Sequence, residues 1–290
     1  MVAAEMGMSR PLISVVVPTW NTASVLPQAL RSLSEQTFVD FEVIVSDGAS
    51  SDGTLGVAEK FAGALAHLQI DSRPDTGVYD AINRGVRLSS GQWFMVLGSD
   101  DRLHSRDTLA AVAQELLAAG PVQMVYGDVC MMAPNRSGIP PGGRFAGPMP
   151  LSRLFSSNIC QQSVFYRRKL FDRLGGFNER YRLYADWDFN IRAAFEAPTQ
   201  WIDLVVADYA ATGMSASAVD QSFIDDMHEL ILREFMRRSG QRTLWPLQRR
   251  VRHDANVLRK RGQWGLALSH LASYLHLLVL RVPNLLKGGA

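Results

Sequence analysis

Four short segments of this chain set acidic residues just after apolar runs: ISVVVPTWN (13–21), FEVIVSDGASSDGT (41–54), WFMVLGSDD (93–101) and YRLYADWDF (181–189). Asp47, Asp100 and Asp101 each fall where a buried strand would end and a loop begin. In open α/β sheets that carboxyl edge is where ligands bind. Two adjacent hard-oxygen donors at such an edge suit Mg²⁺ or Mn²⁺ bridging a diphosphate. Taken singly, each segment is also an ordinary turn or helix cap: Asp47-Gly48 is a turn signal, and Asp100, Asp101 and Asp186 could simply favour a helix N-terminus. Their order along one chain is what carries chemical information.

These acids need a scaffold, and the hydropathy pattern supplies one. Residues 12–17, 41–46, 66–71, 91–97 and 122–129 are short Val-, Ile-, Leu- and Met-rich runs bounded by Gly, Pro, Asp or Ser, which predicts buried parallel strands. Helical segments over 24–36, 54–65 and 78–88 alternate with the early strands, so the chain is read as a βαβ-wound sheet. Asp52 or Thr54 would cap the second helix. The proline- and glycine-rich stretch 133–150 is a long loop. Beyond it QQSVFYRR reads as a strand, RKLFDRLGGF and DWDFNIRAAFE as helices, and WIDLVVAD (201–208) as a last strand. The division expected is a domain over 1–216 and a helical tail over 217–290.

Composition narrows the setting. The chain is 47% hydrophobic and 20% charged, as folded proteins are. Cys130 and Cys160 are too few for a disulfide framework or a zinc site, and residues 1–11 lack the pattern of a signal peptide, so a cytoplasmic protein is expected. Between Arg233 and Arg261 ten cations face Glu234 and Asp254, an excess of +8. With Arg281 and Lys287 added and a whole-chain charge of +2, residues 1–232 carry −8. An apolar stripe (Trp264, Leu268, Leu271, Leu275, Leu278, Val282) follows the basic run at helical spacing. The tail thus suits an anionic membrane surface, at the inner face of the membrane, or a protein partner. Its apolar run is too broken for a spanning helix. Neither a Walker loop nor a dinucleotide glycine fingerprint occurs, the six histidines show no metal-ligand spacing, and no nucleic-acid partner is expected.

Together, the four segments make the chain resemble the family-2 glycosyltransferases of GT-A fold, from about Ile13 to Ser217. The nearest type is that of bacterial polysaccharide assembly, carried by DTGVYDAINRG (75–85), GQWFMVLGSDD (91–101) and the acceptor-side run 158–192. The resemblance implies an α/β, GT-A-like nucleotide-binding βαβ sandwich. It also implies an inverting, metal-dependent transfer of one sugar from a nucleoside-diphosphate sugar, a UDP-sugar, to a hydroxyl of a glycan or lipid-linked acceptor. By that resemblance Pro18, Thr19 and Trp20 line the base pocket, with Asp47 accepting from the pyrimidine N–H. Arg73 and Asp75 approach the nucleotide. Asp100 and Asp101 hold the divalent cation (Mg or Mn), Asp101 as the supporting neighbour, and Asp186 is the catalytic base. Asp188, two residues along the same helix, points elsewhere and pairs with Arg192.

Three positions depart from the family pattern. Gly98 stands two residues before Asp100 where an acid or asparagine is usual, Ala185 precedes the base in place of Glu, and Cys160-Gln161-Gln162 replaces Cys-His-Gln. Gly213-Met214-Ser215 resembles the family's glycine-serine loop near the donor. The processive members' Gln-x-x-Arg-Trp signature is absent, which favours one sugar per encounter. A catalytically silent nucleotide-sugar-binding scaffold is the alternative, and the presence of Asp100, Asp101 and Asp186 weighs against it. A methyltransferase would need a glycine-rich turn after the first strand, where Pro18-Thr19-Trp20-Asn21 stands.

Overall fold

The computed structural model describes residues 10–134, 138–145, 147–149, 151–155, 157–210 and 218–237, with Arg252, Asn256, Arg259 and Lys260. The Gly213-Met214-Ser215 loop and the Trp264–Val282 stripe lie outside the described residues. The chain begins with β1 (Ile13–Thr19), α1 (Leu26–Ser34), β2 (Phe41–Asp47), α2 (Thr54–Glu59), β3 (Leu68–Ser72), α3 (Val78–Leu88) and β4 (Trp93–Val96). Next come β5 (Arg102–Leu103), α4 (Thr108–Ala118), β6 (Met124–Met131), β7 (Arg144–Phe145), α5 (Leu151–Leu154) and a 3₁₀ turn, Gln161–Ser163. The last described elements are β8 (Val164–Arg167), α6 (Arg168–Leu174), α7 (Ala185–Glu196), β9 (Thr199–Tyr209) and α8 (Gln221–Arg237).

One sheet runs through all of it, in the order β3-β2-β1-β4-β8-β6-β9-β5, with β7 on β6. β1, β2, β3 and β4 are parallel, as their hydropathy predicts. The sheet as a whole is mixed, because β8 enters antiparallel between β4 and β6. That strand is reached through a long loop rather than a crossover helix, so nothing forces it to run parallel. After building outward to β3 the chain returns to lay β4 on the other side of β1. The order therefore reverses between β1 and β4, and a crevice opens at their carboxyl ends.

Strand side chains alternate between two cores. Ile13, Val15, Val17, Trp93, Met95 and Phe165 pack on the α1 and α4 face, whereas Val16, Phe94, Val96, Val164 and Tyr166 pack on the face covered by α3, α6, α7 and α8. Both faces are buried, which is why the strands read as unbroken apolar runs. Residues 221–231 were read as the start of a tail, but α8 sinks Phe223, Met227, Leu230 and Ile231 into the same core as Phe189. Among the described residues no helix is long and apolar enough to cross a membrane.

Helix α3 lies close against the sheet because Gly85 has no side chain. A Cβ there would stand 2.6 Å from Val16 Cγ1 and 3.2 Å from Ser46 Cβ. Glycine inside a helix costs about 0.5–1 kcal/mol relative to alanine, so close packing is what offsets it. Gly85→Ala should push α3 off β1 and β2 and destabilise the protein by about 1–3 kcal/mol, the usual effect of overpacking. Chemical denaturation would show a lowered midpoint with an unchanged slope.

Candidate active site

The carboxyl ends of β1, β2 and β3 converge on one carboxylate. Asp47 is fully buried, opposite Thr19 in the parallel register. Its Oδ1 accepts hydrogen bonds from Thr19 Oγ1 (3.0 Å) and Ser50 Oγ, and its Oδ2 from the Ser50 N–H (2.9 Å) and Ser72 Oγ (2.7 Å). A carboxylate offers about four acceptor directions, so these four donors occupy them. Burial pushes the carboxyl's pKa up, but the bonds from Ser50, Ser72 and Thr19 outweigh it and hold the group ionised. The Asp47 carbonyl also accepts from the buried Arg84 Nη2 at 2.7 Å and from the Arg73 N–H. Asp47 is thus the frame of the pocket rather than its open face.

The open face is Trp20, 68% exposed, with Asp75 beside it. A Cβ on Gly48 would collide with the Asp75 carboxylate and lie 3.3 Å from Trp20 Cδ1, so this glycine lets the two side chains close over the strand end. Burial raises the Asp75 carboxyl despite the Gly77 N–H bonded to its Oδ1. Arg73 reaches outward and pairs with Asp71 at 3.1 Å. Cross-ties fix the loop after β1 to the loop after β2: the Asn21 N–H to Ser50 Oγ, the Ser51 N–H to Asn21 Oδ1, and the Ala23 N–H to Asp52 Oδ2. Asp52 also takes the Thr54 N–H at the start of α2.

Past β4 the two adjacent acids fold back over Gly98. A Cβ at that glycine would lie 2.6 Å from Asp101 Oδ2 and 3.1 Å from Asp100 Oδ1. Two carboxylate oxygens of adjacent residues therefore approach a single point, which an acidic side chain at position 98 would fill. Asp101 is buried; its Oδ1 accepts from the Ala210 N–H (2.9 Å) and its Oδ2 from Gln162 Nε2 (3.0 Å). Burial, then the charge of Asp100, lifts its carboxyl to about 7. Carboxylate oxygens are the donors a hard divalent cation takes, so Asp100 and Asp101 could contribute to holding one. Among the described residues no group of three or more His, Cys, Asp or Glu gathers to hold a metal ion.

Asp186 sits in the first turn of α7, 8% exposed. Tyr79 of α3 donates its hydroxyl to Asp186 Oδ1 at 2.8 Å, with the Leu183 carbonyl 2.9 Å from the same hydroxyl. Asn158 Nδ2 donates to Asp186 Oδ2 at 2.6 Å. Behind Asn158 the chain continues: Asn190 Nδ2 donates to Asn158 Oδ1, and Tyr166 donates its hydroxyl to Asn190 Oδ1. Burial raises the Asp186 carboxyl to about 6, against the pull of the Tyr79 and Asn158 hydrogen bonds. The Tyr79 phenol, pushed well above its ordinary value by burial and by Asp186, stays protonated and so remains a donor. Cys160 lies within electrostatic reach of both Asp101 and Asp186, whose charges add to burial in raising its thiol. The two acidic centres therefore lie on either side of the Cys160 segment.

Asp188 points elsewhere. It is buried and paired with Arg192 at 2.6 Å, and the same guanidinium donates to the Leu174 and Gly176 carbonyls. Sequence reading did not single out Tyr79, Asn158, Asn190 or Tyr166, and named Gln162 only as part of Cys160-Gln161-Gln162. Tyr79 and Asn83 fall on the stripe of α3 that also carries Ile82 and Val86, and polar atoms on a buried stripe are the available signal. Asn158 comes from irregular chain and Gln162 from a single 3₁₀ turn, where spacing says nothing of direction.

Comparison with known proteins gives this geometry a context. Residues 14–175 match the family described as Glycosyl transferase family 2. A PGL/p-HBAD biosynthesis glycosyltransferase of Mycobacterium bovis (strain BCG) is 46% identical over 223 residues, covering 75% of this chain and 84% of that protein. In three dimensions the chain is similar to S. aureus TarS 1–349, solved in complex with UDP-GlcNAc. The TM-score is 0.71 at 19% identity, covering 90% of this chain and 81% of the other. It is also similar to the mannosyltransferase PcManGT of Pyrobaculum calidifontis, solved with GDP-Man and Mn²⁺. There the TM-score is 0.56 at 20% identity, covering 96% and 88%.

The proton affinity of Asp186 should answer to its two donors. Tyr79→Phe removes a bond that favours the ionised form, so the carboxyl pKa should rise further above about 6. NMR titration of the Asp186 side-chain carbon would show the midpoint move upward; an unmoved midpoint would break the assigned contact.

Proposed function

The chain belongs to glycosyl transferase family 2, a glycosyltransferase of GT-A fold acting in glycan or glycolipid biosynthesis, and from that premise we propose an inverting transfer. One sugar passes from a nucleoside-diphosphate sugar, a UDP-sugar, to a hydroxyl of a glycan or lipid-linked acceptor. The observation that carries this reading is Asp186: a lone buried carboxylate, held by two donors and raised to about 6. A base near neutrality combines an available ionised form with real affinity for the proton it must take.

Binding comes first. The nucleobase stacks on the exposed Trp20 indole, with Asp75 at its edge and Thr19, Pro18 and the bonded Asp47 forming the floor. Arg73 stands at the pocket mouth and can swing from Asp71 toward phosphate. Asp100, backed by Asp101, would hold a Mg²⁺ or Mn²⁺. When bound, such an ion supplies Lewis-acid neutralisation of the diphosphate's charge.

The chemical step is a displacement at the anomeric carbon. Asp186 accepts the proton of the acceptor hydroxyl as that oxygen forms its bond to carbon. The bond from carbon to the diphosphate oxygen breaks on the opposite face, and the nucleoside diphosphate leaves with the electron pair. One displacement inverts the configuration. The proton stays on Asp186, where Asn158 and Tyr79 keep the carboxyl oriented. The relatives named PGL/p-HBAD biosynthesis glycosyltransferases are in keeping with a glycan or lipid-linked acceptor.

Two outcomes test the assignment. Asp186→Asn should leave donor binding intact and lower turnover by ~10²–10⁴, the usual contribution of general-base catalysis. Because the base must be ionised, wild-type turnover should fall as pH drops through about 6. Asp100→Ala should abolish the Mn²⁺-dependent part of UDP affinity in calorimetry while leaving the weaker metal-free binding unchanged.

A further inference from the structure

The start of α8 reaches the base loop from outside the residues that match the family. Asp220, buried immediately before Gln221, accepts the Leu183 N–H on Oδ2 at 2.8 Å and the Tyr184 N–H at 3.4 Å. Its Oδ1 accepts the Phe223 N–H of the helix's own first turn at 3.3 Å. One carboxylate thus caps α8 and fastens residues 183–184. The Leu183 carbonyl faces the Tyr79 hydroxyl, and that hydroxyl donates to Asp186. Through the Tyr184 N–H, Asp220 holds the peptide unit of the Leu183 carbonyl, and that carbonyl and Asp186 Oδ1 both lie within hydrogen-bond distance of the single Tyr79 hydroxyl proton.

Phe223 reinforces the attachment. It is fully buried, with ring centroids 5.4 Å from Tyr181, 5.8 Å from Tyr184 and 5.2 Å from Trp187. These three aromatics surround Asp186 in the sequence. On the far side Tyr181 donates its hydroxyl to Asp226 Oδ2 at 3.1 Å. Segment 181–187 is gripped by α8 at both its backbone and its rings.

We propose that Asp220 is a positioning residue for sugar transfer: through Leu183 and Tyr79 it sets the orientation of Asp186, so that α8 belongs to the catalytic apparatus. This rests on the reading of Asp186 as the base. A carboxylate suits the task because two oxygens must serve three N–H donors, which an amide with one acceptor oxygen cannot do. The groups facing Asp186 are Tyr79 from α3, Asn158 and Cys160 from the segment before the 3₁₀ turn, and Tyr166 from β8. Asp220 reaches Asp186 through the 183–184 backbone and then the Tyr79 hydroxyl.

The test uses full-length protein carrying Asp220→Asn. Turnover of the UDP-sugar should fall about tenfold, as misplacement of a reacting group does. Affinity for UDP with Mn²⁺ should stay within about twofold, since that pocket lies at β1–β3. The NMR titration midpoint of Asp186 should move, because the Leu183 carbonyl that shares the Tyr79 proton with Asp186 is displaced. In an Asp186→Asn background, Asp220→Asn should lower residual turnover no further. Asp220→Ser, which keeps a single short acceptor, serves if the amide fails to fold, and should show the same midpoint shift. An unmoved midpoint, or losses that multiply in the double variant, would overturn the proposal. Full turnover in Asp186→Asn would instead overturn the base reading, while the midpoint shift would still report the coupling.

Discussion

A carboxylate set into an aromatic core needs donors on both its oxygens, and in this protein that need organises the structure around Asp186. Buried ionisable groups without partners are strongly disfavoured. Here Tyr79 comes from α3, Asn158 from the loop before β8, and the acid itself from α7. Those elements approach one another only because the sheet beneath them brings β1, β4 and β8 side by side. The polar chain Tyr166–Asn190–Asn158–Asp186 crosses a cluster of Phe94, Phe171, Phe177 and Phe189 rings. Satisfied polar networks in such surroundings enforce one arrangement, since any alternative leaves a group unpaired.

Asp47 meets the same need by similar means. It is held ionised because four donors surround it, from the last residues of β1 and β3 and from the loop after β2. At Gly98 the opposite economy appears. The absent side chain leaves room for Asp100 and Asp101 to draw together, so a residue that looked like a missing acid is the space that adjacent acids use. Asp101 is then fastened by Gln162, which ties it to the segment carrying Asn158. Asp101 and Asp186 are thereby both indexed to a single stretch of chain.

Much of this was legible in the residues themselves. Continuous apolar runs marked β1, β2, β4 and β6, because burial on both faces removes the need for alternation. The pairing of Asp188 with Arg192 followed from helical spacing alone. Direction was harder to read. β8 looks like any buried strand in sequence, and its antiparallel entry depends on a loop route that hydropathy does not encode. The helical character of the segment after 217 is legible in its spacing, whereas the burial of Phe223, Met227, Leu230 and Ile231 against Phe189 depends on tertiary packing that the spacing does not encode. The partners of Asp186 were hidden because Asn158 lies in irregular chain and Tyr79 comes from a helix 107 residues away in sequence.

The late insertion of β8 between β4 and β6 bears on how the chain is made. On a ribosome the segment from β1 to β4 emerges first and can assemble its parallel sheet, but the β4 edge has no neighbour until residues 164–167 have appeared. Until then Trp93 and Phe94 sit on an open strand edge, the kind that recruits foreign strands. Synthesis at ~5–20 residues per second makes that interval several seconds long. The nascent protein must therefore pass through a window in which its most apolar strand is unguarded, and chaperone occupancy during translation of residues 97–167 would be the natural protection.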